Sequence, residues 1–151
     1  MTGVSMEKLT IGRREIADFP EIALSGLDVK IDTGAYTSSI HVSECGETMM
    51  DGKSKLRVVF LDIGHPQYTG VPIFFDAFKM KKVKSSTGQE QLRYFIRMKI
   101  LMLGRLIETD FSLTQRNGMK YPILIGRKLL NKRFVVDTAL VNVSKKKNRI
   151  K

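Results

Sequence analysis

Asp32, Thr33 and Gly34 sit directly behind a short apolar run, Val29-Lys30-Ile31. They offer one carboxylate, one hydroxyl and one residue without a side chain. Asp is disfavoured in strands, so an acid at the end of such a run needs a reason. Gly34 permits a turn or a close backbone approach. The pattern reads as a strand that delivers a carboxylate to a turn with bare backbone beside it. Two readings fit these residues alone. Asp32 is a reactive group, or it caps its own turn through an Asx hydrogen bond.

Other chemistries are weaker. Gly46 to Ser54 resembles a phosphate loop but holds one residue too many between its glycines, and it falls on an expected β-hairpin. A catalytic zinc needs about three protein ligands. His41, Cys45 and His65 are the candidates, yet His41 and Cys45 would need helical spacing in a stretch that reads as strand. Cys45 as a nucleophile would need one of the histidines as base, and nothing in the sequence brings them together. Ser38 and Ser39 follow the Asp32 turn and are read as serving it through hydroxyl hydrogen bonds. No cofactor and no metal are expected.

The chain has 151 residues, with 26 Lys plus Arg against 15 Asp plus Glu, a formal charge of +11. The length suits one domain with a sizeable core. Such a field attracts nucleic acid, anionic membrane or acidic polypeptide. Phe74, Phe75, Phe78, Tyr94 and Phe95 flank a lysine-rich stretch, but core packing is the commoner role for such residues, and nucleic acid is not the expected partner. The single Cys45 excludes an internal disulfide. No apolar run approaches the ~20 residues of a spanning helix, and the first ten residues lack an apolar signal core. A cytoplasmic protein with no membrane partner is expected.

The remaining elements must position Asp32. Strands are expected at 9–12, 27–31, 37–42, 56–63, 71–78, 79–84, 92–103, 106–113, 121–126 and 134–137. Asp51-Gly52 marks a hairpin. Residues 92–106 also admit a helix, but β-branched and aromatic content favours strand. Residues 127–132 suit one or two helical turns. One domain is expected over 1–143, and 144–151 reads as a basic, disordered tail. Many short strands with frequent turns indicate an all-β barrel or sandwich.

Two separated segments then combine. Ile31-Asp32-Thr33-Gly34-Ala35 resembles the active-site loop of retroviral-type aspartic proteases. Ile123-Leu124-Ile125-Gly126-Arg127-Lys128-Leu129-Leu130 resembles the second signature of that fold. Further likeness at 11–15, 30–41, 83–88 and 119–137 points to a bacterial and archaeal retropepsin-like subfamily labelled ATP-dependent zinc proteases. Neither half of that label fits the failed phosphate loop and the missing zinc ligands. The resemblance implies a closed retropepsin-like β-barrel with one short helix after the second signature. Members of this subfamily act with ligases that add glutamate tails to proteins.

The resemblance also implies the chemistry. Aspartic proteases hold a water between two carboxylates that share a proton, so that one acts as base and the other as acid. This chain carries one Asp-Thr-Gly, so the dyad requires Asp32 from two subunits about a two-fold axis. The implied catalytic residues are Asp32, Thr33 and Gly34, with the Thr33 hydroxyl tying the two loops together. Gly34 and Ala35 would meet substrate backbone. Lys84, Ser85, Ser86, Thr87 and Gly88 would form a flap tip over it. Ile125 and Gly126 would pack beneath the loop.

In one respect the chain departs from the family. Retroviral enzymes carry an acid shortly after the loop that pairs with the second-signature Arg. Here that place is Tyr36, so Arg127 must use Glu15 or a carbonyl. The implied function is an aspartic endopeptidase, homodimeric, acting on acidic or oligoglutamate peptides. The alternative is a non-catalytic module of the same fold that docks an acidic partner or polyanion.

Overall fold

The computed structural model describes residues 7–84, 87–115 and 120–144. The strands are β1 (Leu9–Ile11), β2 (Arg14–Phe19), β3 (Leu24–Ile31), β4 (Ser38–Met50), β5 (Lys53–Phe60), β6 (Ile73–Phe75), β7 (Lys79–Lys84), β8 (Glu90–Met102), β9 (Arg105–Thr114), β10 (Ile123–Ile125) and β11 (Phe134–Val136). One short helix, α1 (Arg127–Leu130), follows β10. The fold is all-β, as expected.

Strand β10 organises the whole. It pairs in parallel with β3, Ile125 opposite Ile31, and antiparallel with β4, Ile123 opposite Ile40. Because β10 bridges β3 and β4, the order β10-β3-β2-β8-β9-β4 returns on itself as a closed ring. Closure removes the exposed edges that a sheet otherwise presents. Strands β5 and β6 extend from β4, and β7 pairs with β8 outside the ring. Strands β1 and β11 form a separate parallel pair.

The core follows the two-residue period of strands. In β3, Leu27, Val29 and Ile31 are buried while Asp28 and Lys30 face out. Ile11, Phe19, Ile40, Ile100, Phe111, Ile123 and Ile125 fill the interior, and Phe19 meets Phe111 edge to face at 5.7 Å between ring centres.

The region 92–106 is strand and turn, the reading favoured over a helix. Several boundaries differ from expectation. β4 runs to Met50 and joins β5 through Asp51 and Gly52, both with positive φ, so the stretch that resembles a phosphate loop is a hairpin. β5 ends at Phe60, because Leu61 takes φ 66 and Asp62 caps Gly64. Of 71–78, only Ile73–Phe75 is strand. Residues 14–19, for which no strand is expected, form β2, and Glu15 within it is fully buried. Its carboxylate accepts from Gly12 N (2.7 Å), Ser144 N (2.7 Å) and Val143 N (3.2 Å), which replaces lost hydration. Ser144 is likewise buried, and its Oγ accepts from Ile16 N. It belongs to the packed domain, not to the tail; residues 145–151 lie outside the described residues. Among the described residues no helix is long and apolar enough to cross a membrane.

Candidate active site

Asp32 leaves β3 half-buried, with its N–H donating to Ile125 O at 2.8 Å. The chain turns at once. Ala35 N donates to Asp32 O at 3.2 Å, and Gly34 N donates to Asp32 Oδ1 at 3.0 Å. The Asx-type bond therefore forms, and it orients the carboxylate on a surface loop where Thr33 and Gly34 are exposed. An oriented carboxylate beside bare backbone is also what the reactive reading requires, so both readings describe one geometry.

The second signature holds this loop from behind. Arg127 N donates to Ala35 O and Lys128 N to Tyr36 O, each at 2.8 Å. The orphan N–H groups at the start of α1 are thus satisfied by the loop. Gly126 N donates to the buried Ser38 Oγ at 3.0 Å. A Cβ on Gly126 would lie 2.6 Å from Tyr36 O and 2.9 Å from Ala35 O. Gly126 is required here by close approach, since its φ is −100. Ser38 fills the role read for it.

Arg127 also resolves the departure at Tyr36. Its Nη1 donates to Thr33 O at 3.0 Å, and its guanidinium lies 5.8 Å from the centre of the Tyr36 ring. A carbonyl and an aromatic face stand where the related enzymes use an acid. Glu15 is committed elsewhere.

Other acids have partners of their own. Asp110 pairs with Lys128 and Arg97, Asp76 with Lys55, and Asp137 caps Ala139 N. Burial tends to raise the Asp110 carboxyl, but the Lys128 hydrogen bond and the charges of Lys128, Arg97 and Lys81 outweigh it and hold it low. Asp62 receives His41 Nε2 at 2.7 Å, and the Gly64 N–H and His41 together hold its carboxyl low. His41 Nδ1 lies 3.2 Å from Thr114 O, and His65 Nδ1 accepts from Gln67 N. Among the described residues no group of three metal-ligating side chains occurs. Burial pushes the Cys45 thiol up to about 11, which makes it a poor nucleophile at neutral pH.

The proposed flap residues lie on a different element. β7 and β8 form an exposed hairpin in which Lys84 faces Glu90 and Gly88 takes φ 85 in the turn. Lys84, Thr87 and Gly88 are exposed; Ser85 and Ser86 lie outside the described residues. The cations of this hairpin are contiguous in the sequence and legible there. A second group, Arg13, Arg14, Lys30 and Lys120, is not, because its members come from three separate stretches of chain.

A closed all-β ring, with an Asp-Thr-Gly loop clamped by an apolar-Gly-Arg segment, defines the retropepsin-like class. A family model described as "RimB-like: Retropepsin-like aspartic endopeptidase RimB" matches residues 10–148, and the chain belongs to that family. A Desulfotalea psychrophila protein named probable alpha-L-glutamate ligase is 26% identical over 133 residues, covering 88% of this chain and 29% of that protein. A Shewanella pealeana protein of the same name is 28% identical over 134 residues, covering 89% and 29%. The chain thus spans under a third of the length of these curated relatives. A solved Legionella pneumophila protein of unknown function, Lpg0085, superposes with a TM-score of 0.70 at 24% identity, over 91% of this chain and 99% of that one. That likeness concerns the fold.

Proposed function

We propose that this chain is one subunit of a symmetric dimeric aspartic endopeptidase that hydrolyses acidic, oligoglutamate peptides. The carrying observation is the loop itself: Asp32 is presented at the surface by a turn that the Ile125–Lys128 segment holds through backbone hydrogen bonds. One chain supplies one such carboxylate, so the second comes from a second copy. Two facing carboxylates cannot both ionise at close range, and they share a proton. The ionised one takes a proton from water as the water oxygen attacks the peptide carbonyl carbon. The protonated one gives its proton to the carbonyl oxygen. Collapse of the tetrahedral intermediate breaks the C–N bond as the newly protonated carboxyl gives its proton to the amine nitrogen and the other carboxylate takes one from a hydroxyl, which restores the shared proton.

The charge of +11 supports an acidic substrate. So do the names of the relatives, since a module akin to part of a glutamate ligase suits a glutamyl chain. The test is cleavage of glutamate-rich peptides by wild type and Asp32→Asn, with and without chelator. Cleavage that disappears in Asp32→Asn and persists with chelator is expected. Cleavage that survives Asp32→Asn would refute the mechanism, and chelator-sensitive cleavage would point to a metal.

A further inference from the structure

β9 lies between β8 and β4 in the ring, and it ends before either neighbour does. It pairs with β4 over 38–41 and with β8 over 95–102. Beyond Thr114, β4 runs on to Met50, and β8 reaches back to Glu90. The far edges of both are taken. Phe95 pairs with Lys79 and with Ser112, so β7 holds the edge of β8 away from β9. The His41 N–H donates to Pro122 O and its carbonyl accepts from Leu61 N, so β10 and then β5 hold the edge of β4 away from β9. The near edges, 44–50 and 90–94, face each other with no strand between them among the described residues. At its end β9 holds them two strand spacings apart, roughly 9.6 Å, the width that one more strand fills. A cavity of about 490 Å³ opens there, lined by Val42, Cys45, Leu92, Arg93, Thr114 and Gln115 among others. That volume falls in the ~300–1,000 Å³ range of binding sites.

Two bonds brace the walls. Tyr94 Oη donates to Glu47 Oε2 at 3.0 Å, and Gln115 Nε2 donates to Ser43 O at 3.1 Å. A strand edge with unpaired N–H and C=O groups is a template for another strand. Apolar side chains stand open at the mouth. Met49 is 67% exposed, Leu92 63% and Met80 44%. β4 and β8 run antiparallel, so Met49 and Leu92 fall on the same side of the Glu47–Tyr94 bond, and Met80 pairs with Tyr94. Methionine suits an adaptable polypeptide-binding surface. Arg93 is half-buried, its Nη2 reaches only Gln91 Oε1 at 3.4 Å among the described residues, and no acid lines the cavity. Such a guanidinium suits a carboxylate.

We propose that this slot binds an extended segment of a second protein as an added strand between β4 and β8, an apolar-acidic-apolar run whose acid meets Arg93. The order follows from the strand period. Arg93 points to one face and Leu92 and Tyr94 to the other, so an opposing strand sets its acid on the first and the flanking side chains on the second. Main-chain pairing supplies affinity and the side chains supply specificity. A second copy of this chain fits less well, because a strand inserted here makes a head-to-tail contact that does not close. Along β4 the slot begins six residues past Ser38, roughly 20 Å of rise. It therefore stands apart from the Asp32 loop, whether or not that loop is half of a peptidase centre.

The probe is acetyl-Thr-Leu-Glu-Leu-Thr-amide, titrated into the full-length Asp32→Asn protein and followed by amide NMR. Shifts at 44–50 and 90–94 are expected at millimolar peptide. Methylating the two leucine amides of the probe removes main-chain donors and should weaken binding roughly tenfold. Arg93→Gln and the Gln analogue of the probe should each weaken it by a similar factor, and together little more than either alone. Leu92→Ser should weaken it several-fold, and the exposure of Leu92 keeps folding out of question. Lys99→Gln, a loss of charge on β8 outside the slot, should change it less than about twofold. Absence of shifts, shifts centred on 32–36, indifference to the methylated amides, or equal binding by Leu92→Ser and Lys99→Gln overturns the proposal. So does displacement by hexaglutamate as ready as by the probe itself, which puts the probe in the acidic-substrate cleft. Self-association that Leu92→Ser abolishes also overturns it, since the occupant is then a second copy.

Discussion

Ser38 Oγ receives the Gly126 N–H at 3.0 Å, with both groups buried. This bond joins the strand leaving the Asp32 loop to the start of α1. Ser38→Ala removes the acceptor and leaves a buried N–H unpaired, which costs about 1–3 kcal/mol. At roughly 2–4 °C per kcal/mol for a chain of this size, thermal unfolding should register the loss clearly. Ser38→Thr retains the hydroxyl and should lie nearer to wild type.

Gly126→Ala should be more damaging. Its new Cβ meets the Tyr36 and Ala35 carbonyls at 2.6 and 2.9 Å, and backbone cannot swing away as a side chain can. The loop that carries Asp32 must shift, so both stability and peptidase activity should fall. Gly46→Ala serves as the control, because nothing lies within 4 Å of its added atom. Urea midpoints for the two variants decide the matter, and equal midpoints would contradict the clamp.

Arg127 is exposed, so its contacts should contribute more to loop order than to global stability. Arg127→Met loses the bond to Thr33 O and the Tyr36 contact. An unfolding change of about 1 kcal/mol or less is expected, together with faster amide exchange at 33–35 and reduced kcat. Tyr36→Phe keeps the aromatic face and should behave as wild type in the exchange measurement.

Asp110 and Lys128 link β9 to α1. The Asp110 carboxyl is held below its ordinary value, because the contributions of Lys128, Arg97 and Lys81 exceed the opposing effect of burial. A depressed folded-state value stabilises the fold above the unfolded carboxyl value, about 3.9. That stabilisation is lost as pH falls through the folded value. Asp110→Asn should therefore lower the unfolding temperature at pH 7 modestly and narrow its gap to wild type below about pH 4. A constant gap from pH 7 to pH 3 would contradict the pair.

The legible parts were local. Strand period exposed β3 and β10, and Asp-Thr-Gly with Ile-Gly-Arg named the loop and its clamp, because each is a short contiguous pattern. What escaped depends on register between distant segments. Glu15 was available in the sequence as a partner for Arg127; donors from 143 and 144 instead hold it buried. Arg14, Lys30 and Tyr121 are far apart in sequence, and only the β2–β3 and β3–β10 pairings bring them to one cavity. Arg127's carbonyl partner was anticipated in kind, but the Tyr36 ring was seen only as a missing acid.

The central claim is that catalysis needs Asp32 from two chains. Wild-type and Asp32→Asn subunits, unfolded together in equal amounts and refolded, should assort at random into symmetric dimers. If both carboxylates are required, activity against a glutamate-rich peptide falls to about a quarter of that of the same total amount of wild type. Activity that declines in proportion to the wild-type fraction, to about half, would mean that one chain suffices and would contradict the account.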